Sequence, residues 1–343
     1  MTNGTDRRTV LAALAASVLP GGLRAEENLV MRRSPIPGED PHWYAFGQNG
    51  PWNPHSEPFI VPYEAARVVV HAPRGVKTGR LVVFSHGALT DPLVYRPLLQ
   101  HWASHGFVVA APVHDDSIFM RGLLARRAEA KGGSSWDVDR VLNDALAWDG
   151  RCEACRLPLE HVDRIQKVIG YSVNTERPII IGHEFGAYVV QLLLGAKVVA
   201  DMGKPLKFID PRWYAGMMFS PQGVGVMGLT EDSWGGVSKP FMVAQAGLDA
   251  DFTGQTAEQR LDAFNRSAPG NKHLAWFPQA RRNLPIGPSA GGSLAEKTQF
   301  EDFRAITTAF LYAYSNYDEA VFHQLITDWP ERATLKRVRT AYR

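Results

Sequence analysis

Residues 178–190 of the chain read PIIIGHEFGAYVV, and this stretch decides the fold. It opens with an apolar run typical of a short buried strand and closes with the apolar pattern of a helix. Gly182 and Gly186 stand between the two, where larger side chains would collide with the neighbouring strand and helix. The stretch therefore predicts a sharp strand-to-helix turn, formed by Gly182, His183 and Gly186 around Glu184 at its tip.

Strand and helix patterns alternate along the rest of the chain. Strands are predicted at residues 66–71, 81–84, 107–111, 178–181, 213–219, 240–246 and 273–277. Helices are predicted at residues 93–105, 137–147, 162–169, 187–196, 300–314 and 318–327. Such alternation is typical of an α/β fold with a mostly parallel central sheet and helices on both faces. We expect one such domain over residues 61–343, an irregular lead-in over 26–60, and a small excursion over the site at 117–133.

The N-terminus has the pattern of an export signal. Arg7 and Arg8 precede an apolar run at residues 10–20, and the small residue Ala25 follows at a possible cleavage position. A twin arginine before a short apolar run is typical of bacterial twin-arginine signals, although an ordinary N-terminal helix is an alternative. The signal predicted for residues 1–25 implies a periplasmic or secreted protein.

Composition and charge argue against nucleic acid and membrane as binding partners. The chain has 343 residues, is 45% hydrophobic and carries a formal net charge of +2. Its Lys and Arg residues are scattered, so no nucleic-acid-binding surface is predicted. Beyond the N-terminal segment, no apolar run reaches the roughly 18 residues that a membrane-spanning helix needs. We expect one large core and no membrane contact after signal removal, and the composition leaves the oligomeric state open.

Two cysteines, Cys152 and Cys155, form a C-x-x-C pattern. A structural metal site needs about four ligands, and no second Cys/His cluster lies nearby in the sequence. The pair falls in a polar segment between predicted helices, unlike a redox motif that opens a helix directly after a strand. In an oxidising compartment the pattern therefore favours a local disulfide over redox chemistry.

Three stretches carry a resemblance to a known family. They are FSHGALTDPLVYRPLLQHWASHGFVVAAPVHDDS at residues 84–117, WDVDRVLNDALAW at 136–148 and IIIGHEFGAYVVQLLLGA at 179–196. Together they resemble the platelet-activating-factor acetylhydrolase and dienelactone-hydrolase-like branch of the α/β-hydrolase superfamily, from about residue 65 to about residue 315. The resemblance implies an α/β-hydrolase fold and a Ser-His-Asp esterase acting on small esters or lactones without a cofactor.

The resemblance also implies an oxyanion hole. In this fold the backbone N–H that follows a His-Gly pair acts together with the N–H of the residue after the nucleophile. The corresponding donors here are Ala88, which follows His86-Gly87, and Phe185. His86 itself is expected to pack within the loop.

The catalytic positions depart from the family pattern. Glu184 occupies the place of the serine, whereas the acid is retained as Asp249, with Asp251 as the second choice. The histidine is missing, because no histidine occurs between His273 and His323. Arg281 or Arg282 stands in its place.

The two replacements predict an ion pair. A carboxylate that is partly removed from water costs several kcal/mol unless its charge is compensated. An arginine in the former histidine position compensates it by charge and hydrogen bonding. We therefore expect a Glu184–Arg282 ion pair, with Asp249 contacting the same arginine.

Two functions remain open on the sequence. The resemblance favours an exported, atypical hydrolase of small esters or lactones that uses Glu184 as nucleophile or general base. The alternative is a non-catalytic binding protein in which a Glu–Arg pair fills the old active site. A nearby arginine would lower the pKa of Glu184, which weakens its action as a base.

Two further alternatives are less favoured. One is a serine nucleophile at another position, and the other is a metal site after the strand at 107–111, where such residues are commonly plain turn residues. The candidate serines are Ser85, Ser117 and Ser220, and the candidate ligands are His114, Asp115 and Asp116. None of these serines lies on a strand-to-helix turn of the required kind, and no metal is expected.

Overall fold

A nine-stranded sheet forms the centre of the protein, in the order β1-β2-β4-β3-β5-β8-β9-β10-β11. Neighbouring strands from β4 to β10 are parallel, whereas β1, β2 and β11 pair antiparallel with their neighbours at the two edges. The strands are β1 Phe59–Pro62, β2 Arg67–His71, β3 Thr78–Ser85, β4 Phe107–Val113, β5 Ser172–His183, β6 Val198–Val199, β7 Pro205–Leu206, β8 Ala215–Phe219, β9 Phe241–Leu248, β10 Lys272–Arg281 and β11 Arg339–Tyr342. β6 and β7 form a separate antiparallel pair.

Helices cover both faces of this sheet. They are α1 Pro41–Gly47, α2 Arg96–Ser104, α3 Ala145–Glu160, α4 Val162–Ile169, α5 Phe185–Leu194, α6 Asp262–Arg266, α7 Leu294–Tyr314, α8 Glu319–Leu325 and α9 Trp329–Ala333. Side chains of α3, α4 and α5 pack in one apolar core, and those of α1, α2 and α7 pack in a second. The predicted α/β-hydrolase fold with a mostly parallel sheet is confirmed.

The computed structural model describes residues 40–64, 66–117, 141–199, 205–250 and 253–343, which belong to one compact unit. The export signal predicted for residues 1–25 and the alternative acid Asp251 lie outside the described residues, as does the excursion at 117–133 apart from Ser117. Among the described helices, none combines the length and apolar character needed to cross a bilayer.

Alternate residues of β3 show why the sheet has two cores. Leu81 and Val83 pack in the core that contains α5, whereas Val82 and Phe84 pack in the core that contains α2. Successive side chains of a strand point to opposite faces, so a strand in the middle of the sheet is apolar throughout. This burial on both faces explains the continuous apolar runs from which the strands were predicted.

The edge strands β1 and β11 and helix α9 were not predicted, and two further regions also differ from the sequence-based expectation. The lead-in predicted as irregular contains helix α1, whose N-terminus is capped by the Asp40 side chain through the amides of His42 and Trp43. The helix predicted at residues 137–147 is interrupted in its described part: residues 141–142 are helical, a turn follows at 143, and α3 begins at Ala145. The Asp144 side chain accepts from the Leu146 amide at this start, so a cap residue sets the boundary.

The disulfide predicted between Cys152 and Cys155 is wrong. Both residues are buried free thiols inside α3, not in a polar segment between helices. Burial raises the pKa of Cys155 to about 12, and a hydrogen bond joins its thiol to Ser85. The two cysteines pack as small apolar side chains of the core, because the segment that contains them is the buried face of a helix.

Candidate active site

Glu184 lies at a sharp turn between β5 and α5. Its backbone has φ 53° and ψ −115°, a region that residues other than glycine rarely adopt. A Cβ on Gly182 would lie 2.1 Å from the Gly186 carbonyl oxygen, and one on Gly186 would lie 1.9 Å from the Ser85 oxygen. Both glycines are therefore required where strand, helix and the end of β3 meet, as the sequence predicts.

The Glu184 carboxylate forms the predicted ion pair with Arg282. Arg282 Nε donates to Glu184 Oε1, and the two side chains are 19% and 15% exposed, respectively. On the other side, a Cβ on Gly87 would lie 2.9 Å from Glu184 Oε2. The carboxylate is thus held between the end of β10 and the loop after β3, and of the two candidate arginines it is Arg282 that faces it.

Charge keeps the Glu184 carboxylate ionised at neutral pH. Burial alone raises the pKa of Glu184, but the nearby His183, Arg282 and Arg260 outweigh burial and bring the pKa below its usual value. Burial lowers the pKa of His183, so this imidazole is neutral at neutral pH. We therefore assign the stabilisation of the carboxylate mainly to the two arginines.

His183 has both ring nitrogens in use. Nε2 lies 3.0 Å from the Arg282 carbonyl oxygen and must donate to it. Nδ1 of the neutral ring then accepts from the Tyr95 hydroxyl at 2.8 Å, and that hydroxyl accepts from the Gly87 amide at 3.1 Å. This chain of hydrogen bonds ties the loop after β3 to the end of β10, and it leaves His183 no free nitrogen for proton transfer.

Asp249 lies deeper than the ion pair. Its side chain is fully buried, accepts from Gln245 Nε2 at 2.9 Å and lies 3.8 Å from Arg260 Nε. Among the described residues no ion pair joins Asp249 to Arg282, so the predicted contact between them is wrong. Asp249 instead compensates Arg260, which is wholly buried, whereas Arg282 stays near the surface.

The two predicted oxyanion-hole donors are present as backbone groups with no acceptor among the described residues. Neither the Ala88 amide nor the Phe185 amide makes a hydrogen bond there. Phe185 is the first residue of α5, where helix N–H groups have no partner within the helix. Both amides are thus without an acceptor in the part of the chain that the structure describes, as oxyanion-hole donors would be before a ligand binds.

An ion pair that the sequence analysis did not predict holds the loop from Ser85 to Thr90 on its α3 side. Arg151 of α3 pairs with Asp116 at 2.6 Å, and both side chains are almost fully buried. Arg151 also donates to the carbonyl oxygens of His86 and Gly87. The His86 ring bonds to the backbone of the same region, so it has the packing role expected for it.

The alternative serine nucleophiles are buried, and two of the alternative metal ligands, His114 and Asp116, bond to other side chains. Ser85, Ser117 and Ser220 are all buried, and the Ser85 hydroxyl bonds to His114 Nε2 at 2.8 Å. Asp116 is committed to Arg151. In the part of the chain that the structure describes, no three His, Cys, Asp or Glu side chains are grouped as metal ligands would be.

A half-open groove of about 910 Å³ lies beside the end of β10. Phe277, Leu284 and Phe300 contribute apolar lining, and Arg281 and Asn283 line it from the loop. Arg282, which stands between these two, pairs with Glu184. The loop after β10 therefore has Arg282 at the Glu184 site and its neighbours at the groove.

Sequence reasoning missed Tyr95, Arg151, Gln245 and Arg260. Tyr95, Arg151 and Arg260 act on residues of other elements, and Tyr95 and His183, for example, are 88 positions apart. Gln245 lies only four positions before its partner Asp249. No local motif marks these residues. Arg151 lies in a segment that the sequence predicts as polar, so its burial in α3 leaves no signal in the sequence.

Comparison with known proteins supports the fold over part of the chain. The profile of the family described as Chlorophyllase matches residues 56–121, which include β1 to β4 and the loop after β3. This family is part of the α/β-hydrolase superfamily. No curated protein matches the sequence significantly. The chain is thus an α/β-hydrolase-like protein, similar to the Chlorophyllase family over residues 56–121.

Proposed function

We propose that the protein binds a small carbonyl compound, an ester or a lactone, at the Glu184 turn without hydrolysing it. The observation that carries this proposal is the Glu184–Arg282 ion pair, which stands where the resemblance places serine and histidine. A carboxylate neutralised by a guanidinium is a poor nucleophile and a poor base. The site therefore has an ion pair in the place of the two groups that a serine esterase needs.

The protonation states favour binding over catalysis. A general base works best with a pKa near the operating pH, whereas the pKa of Glu184 is lowered below its usual value. A glutamyl-ester intermediate would need a base to activate water. His183 is buried and both of its nitrogens are occupied.

Two backbone amides suggest how a ligand is held. The N–H groups of Ala88 and Phe185 suit a carbonyl oxygen, which is the acceptor of an ester or lactone. Arg282 keeps the negative carboxylate of Glu184 fixed and neutralised beside them. A polar carbonyl can then bind without facing an uncompensated anion.

The proposal is tested by measuring hydrolysis and binding on the same samples. We expect no turnover of 4-nitrophenyl acetate or dihydrocoumarin above background, and saturable binding of γ-butyrolactone in ligand-observed NMR. Arg282→Gln should weaken binding by roughly tenfold, because it leaves Glu184 uncompensated. Arg281→Gln is the matched control and should bind as the wild type does. Turnover by the wild type, or the absence of saturable binding, would overturn the proposal.

A second candidate is residual hydrolysis with Glu184 as general base. The observation in its favour is the strained turn, since unusual backbone conformations concentrate at active sites. Turnover by the wild type that disappears in Glu184→Gln would establish it. Glu184→Ser combined with Arg282→His tests the inferred positions of the lost serine and histidine, and regained esterase activity is the expected result.

We also propose that the protein is exported through the twin-arginine route to the periplasm or the medium. Arg7 and Arg8, followed by the apolar run, support this. Replacing both arginines by lysine should retain a reporter fused to the chain in the cytoplasm. Export that is unaffected by this replacement would exclude the route.

A further inference from the structure

The carbonyl oxygen of Gly87 accepts hydrogen bonds from three side chains. His86 Nδ1 lies 2.8 Å from it, Thr90 Oγ1 3.0 Å and Arg151 Nη2 3.2 Å. The His86 ring must donate through Nδ1, because its Nε2 accepts from the His114 amide. These three donors together fix the orientation of the Gly87 carbonyl.

Peptide planarity transfers this constraint to the next residue. The C=O of Gly87 and the N–H of Ala88 belong to one trans peptide unit and point in opposite directions. Because the oxygen faces Arg151, the Ala88 N–H points away from α3. It meets no acceptor among the described residues, and the Glu184 carboxylate lies against Gly87 of the same unit.

Arg151 is the charged member of this arrangement. It is 3% exposed and makes two hydrogen bonds to Asp116, at 2.9 and 2.6 Å. It donates to the His86 oxygen at 2.7 Å, and its guanidinium lies 4.1 Å from the centre of the Phe185 ring. Arg151 therefore contacts the peptide unit that carries the Ala88 amide, and it also contacts the side chain of Phe185, the residue that carries the second amide.

We propose that Arg151 is a positioning residue for ligand binding, which fixes the Gly87–Ala88 peptide so that the Ala88 N–H faces a carbonyl oxygen of the ligand. Its positive charge against the Gly87 oxygen also polarises the peptide, which makes the N–H a stronger donor. The ligand part of this inference rests on the proposed function, whereas the orientation of the peptide does not.

Stability alone gives a weak reason for an arginine here. Buried ion pairs recover their desolvation cost only with good geometry, and neutral replacements of both partners are often tolerated. Removing Arg151 alone would leave Asp116 charged and buried, which endangers folding. Arg151→Met combined with Asp116→Asn removes both charges and is the variant to examine, with Arg151→Lys as the conservative one.

The full chain labelled with ¹⁵N-alanine reports the peptide directly. In the double variant we expect the Ala88 amide proton to move upfield and to exchange with solvent roughly tenfold faster. Arg151→Lys should restore part of the shift, because it keeps the charge. Arg156→Met is the control, since Arg156 lies on the same helix but pairs with Glu153 and Asp210. An Ala88 resonance that is unchanged in a folded double variant would overturn the inference.

Ligand binding separates this inference from the proposed function. With γ-butyrolactone as the probe, the double variant should lose about tenfold in affinity. Equal affinity in wild type and double variant would also overturn the inference. If no form binds the lactone while Ala88 shifts as expected, the proposed function fails and the orienting role of Arg151 stands.

Discussion

At Glu184 the backbone and the side chain make separate demands on their surroundings. The positive φ costs about 1 to 3 kcal/mol for a residue with a Cβ, and the neighbouring elements must impose it. The carboxylate needs a cation, which Arg282 supplies. The two demands are met by different parts of the molecule, so they can be probed by different substitutions.

The charge demand predicts a pH dependence. Because folding lowers the pKa of Glu184 below 4.5, the unfolded chain binds its proton more readily. The stability from this group is present above about pH 5 and is lost as the pH falls through the folded pKa. Glu184→Gln should lower the free energy of unfolding by roughly 1 to 3 kcal/mol at pH 7, with a difference that shrinks below pH 4.5. Urea denaturation from pH 3 to 7 measures it.

A control belongs to the same titration. Glu231→Gln changes a carboxylate that is 75% exposed, so its unfolding curve should follow the wild type at every pH. A wild-type-minus-Glu184→Gln difference that grows on acidification would contradict the assigned direction.

The space around the carboxylate predicts a second effect. In Gly87→Ala the new methyl would lie 2.9 Å from Glu184 Oε2 and 3.1 Å from the Tyr95 hydroxyl, so one of them must move. We expect a loss of about 1 to 3 kcal/mol in the free energy of unfolding. Glu184→Ala in the same chain should relieve part of it in a double-mutant cycle. Gly236→Ala, which has open space around it, should leave stability nearly unchanged.

At the scale of elements, three segment ends meet at the site. The loop after β3, the junction of β5 with α5 and the end of β10 are joined by hydrogen bonds from Gly87 to Tyr95 to His183 to Arg282. Parallel strands bring their carboxyl ends to one edge of the sheet, which is why these segments are neighbours. Tyr95 links them from the short helical turn at Pro92–Tyr95.

Tyr95→Phe tests this link. It removes the partner of His183 Nδ1 and of the Gly87 amide, and each buried group left unpaired costs about 1 to 3 kcal/mol. We expect a lower free energy of unfolding by chemical denaturation, together with faster hydrogen exchange at Gly87. Tyr317→Phe, at a residue that is 61% exposed, serves as the comparison. Equal stability of the two variants would show that the link contributes nothing.

At the scale of the whole molecule, burial in the two apolar cores decides which side chains a dissolved reagent can reach. Cys152 and Cys155 lie in the core on the α5 side of the sheet, and burial raises the pKa of both thiols. A thiol reacts as the thiolate and needs access to the reagent. Modification of these residues therefore requires opening of the core.

Thiol labelling measures that opening. Native protein at pH 8 should react with 5,5′-dithiobis(2-nitrobenzoate) far more slowly than unfolded protein, and its rate should rise with denaturant in step with unfolding. Cys152→Ala and Cys155→Ala in turn assign the signal to each thiol. Rapid labelling of the native protein would place at least one cysteine outside the core.

Local patterns in the sequence determined the seven inner strands of the sheet, its parallel centre and the turn at Glu184, but not the edge strands β1 and β11. They do so because a strand buried on both faces leaves a continuous apolar run, and because a close strand–helix crossing tolerates only glycine. The Glu184–Arg282 pair followed from the same source, since a charge placed at that turn needs a partner where the histidine of the resembled family would stand.

Only the tertiary structure decided which partners the other charged and polar groups take. Asp249 turns to Arg260 and not to Arg282, Cys152 and Cys155 remain unlinked in the core, and Arg151 reaches the Gly87 carbonyl, which lies 64 positions away in the chain. These outcomes depend on the depth and direction of side chains after the elements have packed. The periodicity of a single sequence predicts its helices and strands. It does not predict which residues that are far apart in the chain come into contact when these elements pack.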